Sequence, residues 1–293
     1  MPDSAIRALD IAVARRVAGF MPGEHRSLGV GSGTELAQLR PYAVGDDVRQ
    51  LDPAASARTG EPWVRQHVPE RTLTTWLLVD VSASMAFGTA DRLKSDVTEG
   101  VARVVARVAL RRSGRVGMLT FGAPEPKLLA PRGGRTALAA IRSAVEAGVA
   151  ADGTAVPDAL GAALRRAGRL ARRPGFVVVV SDFRDADAWA HPLRALAGRH
   201  EVLCVEVADP REVSLPDAGL MVMTDPESGR QIEVDLSSRR LREAFERAEG
   251  ERAFRVAGDI RRAGARHAIL STNGDWLRGL GAVLARRPGR GPK

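Results

Sequence analysis

Cysteine is almost missing from this chain. The single one, Cys204, excludes an intrachain disulfide, and its place in the apolar run EVLCVEV points to a buried thiol and a reducing cytoplasm. Aromatic residues reach only 4%, which leaves few platforms for stacking bases. No apolar run approaches the roughly 18 residues of a membrane span. The opening stretch, MPDSAIRALDIAVARRVAGF, also lacks the uninterrupted apolar segment of a signal peptide. It is amphipathic instead, with Ile6, Leu9, Val13, Val17 and Phe20 on one side, and reads as a helix packed on its own domain, a membrane surface being the alternative. Neither GxGxxG nor GxxxxGK[ST] spacing occurs, so GVGSGT is no nucleotide loop. His25, His67, His191, His200 and His267 form no HExxH pair and find no GxSxG partner.

What is present describes a globular protein. The chain has 293 residues, 44% of them apolar, enough for one large or two modest domains. Lys and Arg number 44 against 35 for Asp and Glu, a formal charge of +9 carried almost wholly by arginine. That balance admits an acidic partner, whether nucleic acid, anionic lipid or protein. The positive residues are dispersed, however: Arg103, Arg107 and Arg111 recur at i+4 spacing, as do Arg165, Arg169 and Arg173, the pattern of solvated helix faces. No specific nucleic-acid reading module is expected.

Three regions follow one another. Residues 1–72 comprise the first helix and a Gly-, Pro- and charge-rich segment that reads as an extended piece wrapping over a neighbouring domain, with one strand candidate at PWVRQHV. From residue 73 to about 287, Val- and Leu-rich strands alternate with amphipathic helices. This predicts a doubly wound α/β domain with a mostly parallel sheet covered on both faces. Within it, residues 213–264 interrupt the alternation with a hairpin turning at DPESG and a long charged helix, an insertion at one sheet edge. The tail, residues 288–293, reads as a disordered end.

In an open parallel sheet, ligands bind beyond the carboxyl ends of the strands at the switch point. Three oxygen-bearing loops should meet there: DVSAS after the first strand, DGTAVPDAL with Thr154 before a helix, and SDFRD with Asp182 after FVVVV. Ser and Asp at such turns are also favoured helix caps. Taken together, two carboxylates and three hydroxyls without His or Cys make a hard oxygen set, suited to Mg²⁺, Mn²⁺ or Ca²⁺ and not to zinc.

The order Asp-x-Ser-x-Ser, then Thr, then Asp resembles the metal-ion-dependent adhesion site of von Willebrand factor type A domains. The resemblance implies Asp80, Ser82, Ser84, Thr154 and Asp182 as ligands, some through water. Thr136 in GGRTAL competes with Thr154, which is preferred because GTAVPDAL matches the family's Gly-Thr followed by a helix. The stretches GEHRSLGVGSGTELAQLRPYAVGDDVRQLDPAASARTGEPWVRQ and DPREVSLPDAGLMVMTDPESGRQIEVD further resemble the bacterial family called domain of unknown function 58. Leu36, Pro53 and Ala54 depart from that family's usual Phe, Trp and Asn. Arg40, Asp46, Asp47, Arg49, Asp52, Arg58 and Arg65 are expected to pin the irregular segment through ion pairs.

The resemblance implies a metal-dependent protein-interaction module. A carboxylate from outside would complete the metal, supplied by a MoxR-type AAA+ ATPase or its client, in chaperone-like maturation of other proteins. An enzyme is not expected. The competing reading, a Mg²⁺-dependent hydrolase or phosphatase with Asp80 as nucleophile, would want an acid two residues on, where Ser82 stands. A nucleic-acid-binding protein is the third reading, prompted by the charge alone.

Overall fold

The computed structural model describes residues 35–68, 74–110, 114–184 and 189–285. The expected first helix and the tail lie outside these residues. The chain divides into two compact units, one within residues 22–72 and one containing everything from residue 73 onward.

The smaller unit is a short antiparallel pair with a helix between its strands. Strand β1 (Glu35–Pro41) pairs with β2 (Trp63–Val68), and α1 (Pro53–Thr59) lies between them in sequence. Strand β2 is the expected PWVRQHV segment; β1 and α1 add regular structure to what the composition marks as irregular. The signals for α1 are nevertheless local. Asp52 caps it by accepting from the Ala55 N–H at 2.9 Å, Pro53 opens it, and Gly60 closes it at φ 76°. Seven residues with one buried apolar side chain leave no periodicity to read. Arg40 grips Asp46 through two hydrogen bonds of 2.7 and 2.6 Å, and Arg65 Nε reaches Asp52 at 2.8 Å, so two of the expected ion pairs form, while Asp47 accepts the Arg49 backbone N–H at 2.9 Å.

The larger unit carries the sheet. In chain order it contains β3 (Thr74–Asp80), α2 (Lys94–Leu110), β4 (Arg115–Phe121), β5 (Leu128–Arg132), α3 (Gly134–Val145), α4 (Ala159–Leu170) and β6 (Phe176–Ser181). It continues with α5 (Ala190–Ala197), β7 (Glu201–Ala208), β8 (Leu220–Thr224), β9 (Gln231–Asp235), α6 (Arg239–Arg262), β10 (Arg266–Ser271) and α7 (Trp276–Ala285). The six-stranded order is β10-β7-β6-β3-β4-β5, parallel except for the antiparallel edge strand β5. This is the doubly wound architecture the alternating pattern predicts.

Strand β3 shows why both faces must be covered. Leu77 and Val79 point into one core with Val101 and Val105 of α2, Ile141 of α3 and Leu280 of α7. Trp76 and Leu78 point the other way, onto Leu160 and Leu164 of α4, Leu193 of α5 and Ile260 of α6. Each such side chain fully buried contributes about 1.5–3 kcal/mol, so exposing either face would unfold the domain. The chain leaves β3 for β4 on one side and returns to β6 on the other, which makes the carboxyl end of β3 the switch point.

Among the described residues the hairpin of β8 and β9 pairs with no strand of this sheet; it is a two-stranded ribbon, in register from Leu220 opposite Asp235 to Thr224 opposite Gln231. Its turn is closed by Asp225 N–H donating to Arg230 O at 2.9 Å. Helix α6 packs on the core through Val256 and Ile260, joined by Ala263 just past its end.

Candidate metal and ligand site at the switch point

Strand β3 ends at Asp80, buried to 6% exposure. The Ser82 N–H donates to its Oδ1 at 2.9 Å and the Ser181 hydroxyl to its Oδ2 at 2.6 Å. The chain then turns through a short 3-10 segment, Ala83–Ala86, with Ser82 at its cap position. A capping serine would accept a backbone N–H with its hydroxyl. Ser82 makes no such bond: its Oγ lies 3.1 Å from Ser84 Oγ, and the Ser84 hydroxyl donates to Asp182 Oδ2 at 2.9 Å. The serines therefore link two acids from neighbouring strands.

Gly122, just past β4, sits against this arrangement at φ +85°. A Cβ there would come within 2.7 Å of Ser82 Cβ and 2.8 Å of Asp80 Oδ1, so only glycine leaves the space beside the acid open.

The structure brings Asp80, Ser82, Ser84 and Asp182 to one cavity of about 490 Å³ at the carboxyl edge of the sheet. Thr154 is placed differently. It is not among the lining residues, and its hydroxyl donates to the Ala151 carbonyl. Thr136 is exposed near the start of α3 and does not line the cavity either.

Several functional side chains escape the sequence motif. Lys94, wholly buried, donates from Nζ to Asp182 Oδ2 and to Glu212 Oε1, each at 2.7 Å, and faces the Phe87 ring at 6.0 Å from its centroid. A lysine opening a helix opposes the helix dipole. That local conflict is the one sequence signal that could have singled it out. Glu212 also accepts the Asp209 N–H at 3.0 Å in a capping box, legible in DPRE, while its other oxygen serves Lys94. Arg184 Nε approaches Glu212 at 3.3 Å, and its other nitrogens hold Glu249 of α6.

The charges explain the ionisation of the two acids. Burial and the nearby Asp182 carboxylate push Asp80 up to about 7. Burial also opposes the charge of Asp182, but Lys94, the Ser84 hydroxyl and Arg184 hold it below the usual carboxylate range. Burial works against the Lys94 charge too, yet Asp182 and Glu212 outweigh it and raise this ammonium above the ordinary lysine value. Among the described residues no cation pairs with Asp80, so this acid is a buried group lacking a counter-charge.

That deficit, an all-oxygen donor set and the space kept by Gly122 fit a hard divalent cation. Asp80, Ser82, Ser84 and Asp182 would hold it. Among the described residues no three His, Cys, Asp or Glu side chains form a metal-holding group, so the set depends on two acids supplemented by hydroxyls.

A mostly parallel doubly wound sheet with an Asp-x-Ser-x-Ser turn at its switch point defines a von Willebrand factor type A-like domain. The chain belongs to the family described as "Protein of unknown function DUF58", whose profile matches residues 38–254. An uncharacterized protein of Mycobacterium tuberculosis is 39% identical over 292 residues, covering 97% of this chain and 89% of that relative. An uncharacterized protein of Mycobacterium bovis shows the same identity and coverage. Among solved structures, the conserved hypothetical protein BatB from Bacteroides thetaiotaomicron is similar at 14% identity and a TM-score of 0.45, over 73% of this chain and 97% of that one. The SpRpn10 VWA domain is similar at 10% identity and a TM-score of 0.42, over 76% of this chain and 99% of that one.

Proposed function

We propose that this protein is a metal-dependent protein-interaction module that binds an acidic side chain of a partner at the carboxyl edge of its sheet. Asp80, Ser82, Ser84 and Asp182 hold Mg²⁺, or Mn²⁺ or Ca²⁺ in its place. The metal supplies an electrophilic position that attracts an outside carboxylate. The observation that carries the reading is the Asp80–Ser82–Ser84–Asp182 chain of short contacts opening onto the cavity.

The chain's own residues do the rest. Apolar side chains of the cavity wall, Phe87, Phe121, Leu215, Met223 and Phe245, exclude water around the acid. Arg184 and Arg211 line the same cavity and draw negative charge toward it. A binding role is favoured over hydrolysis because the position two residues past Asp80, where an acid would protonate a leaving group, is held by Ser82, whose Oγ lies 3.1 Å from Ser84 Oγ.

The family resemblance adds a partner, a MoxR-type AAA+ ATPase or its client, with chaperone-like maturation as the shared task. The buried free thiol of Cys204 supports a cytoplasmic setting. Among the described residues no helix is long and apolar enough to cross a membrane. The test is capture of such an ATPase by the wild type and by Asp80→Ala, each with Mg²⁺ and with chelator. Capture by the wild type in Mg²⁺ alone is expected; full capture in chelator would overturn the metal-dependent mechanism.

A further inference from the structure

The turn of the β8–β9 hairpin reaches the candidate metal site. The Ser84 N–H donates to Glu227 Oε1 at 3.1 Å, across 143 residues of sequence, and Glu227 lines the same cavity as Asp80 and Asp182. The turn is held there by backbone. Gly153 N–H donates to Pro226 O at 2.9 Å and Ala155 N–H to Glu227 O at 3.2 Å, so the loop carrying Thr154 grips the tip of the hairpin.

Two glycines meet at this contact, each in a left-handed conformation that favours glycine. Gly153 (φ +75°) and Gly229 (φ +68°) face one another, and a Cβ on Gly229 would lie 3.6 Å from the Gly153 Cα. Asp225 shapes the turn by accepting the Glu227 N–H at 3.1 Å and the Ser228 hydroxyl. The strands behind it pair only with each other among the described residues, so the tip can lift without breaking the main sheet.

We infer that Glu227 is a carboxylate this chain holds beside its own metal site, bonded to Ser84 and not grouped with Asp80 and Asp182, and that the hairpin turn is an internal occupant of the cavity which a partner's acid must displace. The inference rests on the metal-site reading above. A carboxylate held beside Ser84 has the chemistry of the outside ligand and reaches the site without the entropy cost of association. An incoming acid therefore competes with an intramolecular one, and free protein is kept from binding acidic surfaces indiscriminately. The Thr154 loop is drawn into the same device, because the hairpin tip bonds to the residues on either side of Thr154.

The test uses Mn²⁺ alone with the full chain. Electron paramagnetic resonance gives the Mn²⁺ affinity, and water-proton relaxation reports water on the bound ion. For Glu227→Gln, an isosteric change at a surface turn, we expect Mn²⁺ affinity to fall by about tenfold, the low end for loss of a supporting partner. Relaxation enhancement by bound Mn²⁺ should rise as water enters the space beside the ion that the turn carboxylate occupies. Hydrogen exchange adds a second readout: Mn²⁺ should slow exchange at the Gly153 and Ala155 amides of the wild type and not of the variant. Equal affinity, relaxation and exchange in the two proteins would overturn the role of Glu227 and leave the metal reading standing. Absence of Mn²⁺ binding by the wild type would overturn both.

Discussion

Lys94 Nζ lies 2.7 Å from Asp182 Oδ2, with the lysine side chain wholly buried and the aspartate 5% exposed. A charge so deep is tolerated because Glu212 takes a second hydrogen bond from the same ammonium at 2.7 Å. Removing one member of such a cluster leaves the others without compensation. Lys94→Met should therefore destabilise the domain by about 3–5 kcal/mol, read from chemical denaturation. A loss under 1 kcal/mol would mean that the cluster is solvated in solution.

Divalent metal should stabilise the folded chain by mass action. At a Mg²⁺ concentration near one hundred times its dissociation constant, the gain is about 2.7 kcal/mol. Thermal melts of the wild type should show a rising Tm with Mg²⁺, and Asp80→Ala should show none. An unchanged response in the variant would move the metal away from Asp80.

The raised Asp80 gives the metal-free protein a pH signature. Its folded value is pushed up to about 7 by burial and by Asp182, so between the unfolded aspartate value near pH 4 and that point the folded state holds the extra proton. Stability must then fall as pH rises through this window, by on the order of 4 kcal/mol for this group alone. Asp182 runs the other way: its lowered value makes stability drop as pH falls toward strongly acidic conditions. Denaturation in chelator across pH 4 to 8 should show the decline, and Asp80→Asn should flatten it.

Gly122→Ala tests the space beside the acid. The new Cβ would meet Ser82 Cβ at 2.7 Å and Asp80 Oδ1 at 2.8 Å from a backbone at φ +85°. We expect a loss of about 1–3 kcal/mol in stability, together with loss of the Mg²⁺-induced rise in Tm. A variant that keeps the full rise would show that the site has room to spare.

Thr154 separates the motif from the geometry. With its hydroxyl given to the Ala151 carbonyl, Thr154→Val should keep most of the Mg²⁺-induced rise in Tm, whereas Ser84→Ala should lose it. The reverse outcome would return Thr154 to the ligands and require the loop to rearrange.

The sequence by itself determined the architecture and the acidic heart of the site. Runs such as the WLLV of β3 and the FVVVV of β6, apolar at every position, suit strands covered on both faces, and the amphipathic helices between them supply the cover. Because parallel strands release their chains at one edge, Asp80 and Asp182 had to emerge near one another. The small unit was less legible: α1 is too short for periodicity and is specified by Asp52, Pro53 and Gly60 alone. Only the tertiary structure decided what surrounds the two acids. Lys94, Glu212 and Glu227 lie 88, 30 and 45 residues from Asp182 along the chain, and no local spacing relates them to it. Their meeting depends on how loops from different crossovers pack over one sheet edge. That packing is also what seats the Thr154 loop against the β8–β9 turn, a contact between backbones whose only trace in the sequence is a glycine on each side. Periodicity records which face of an element is buried, whereas loop-to-loop contacts are chosen by the fold as a whole.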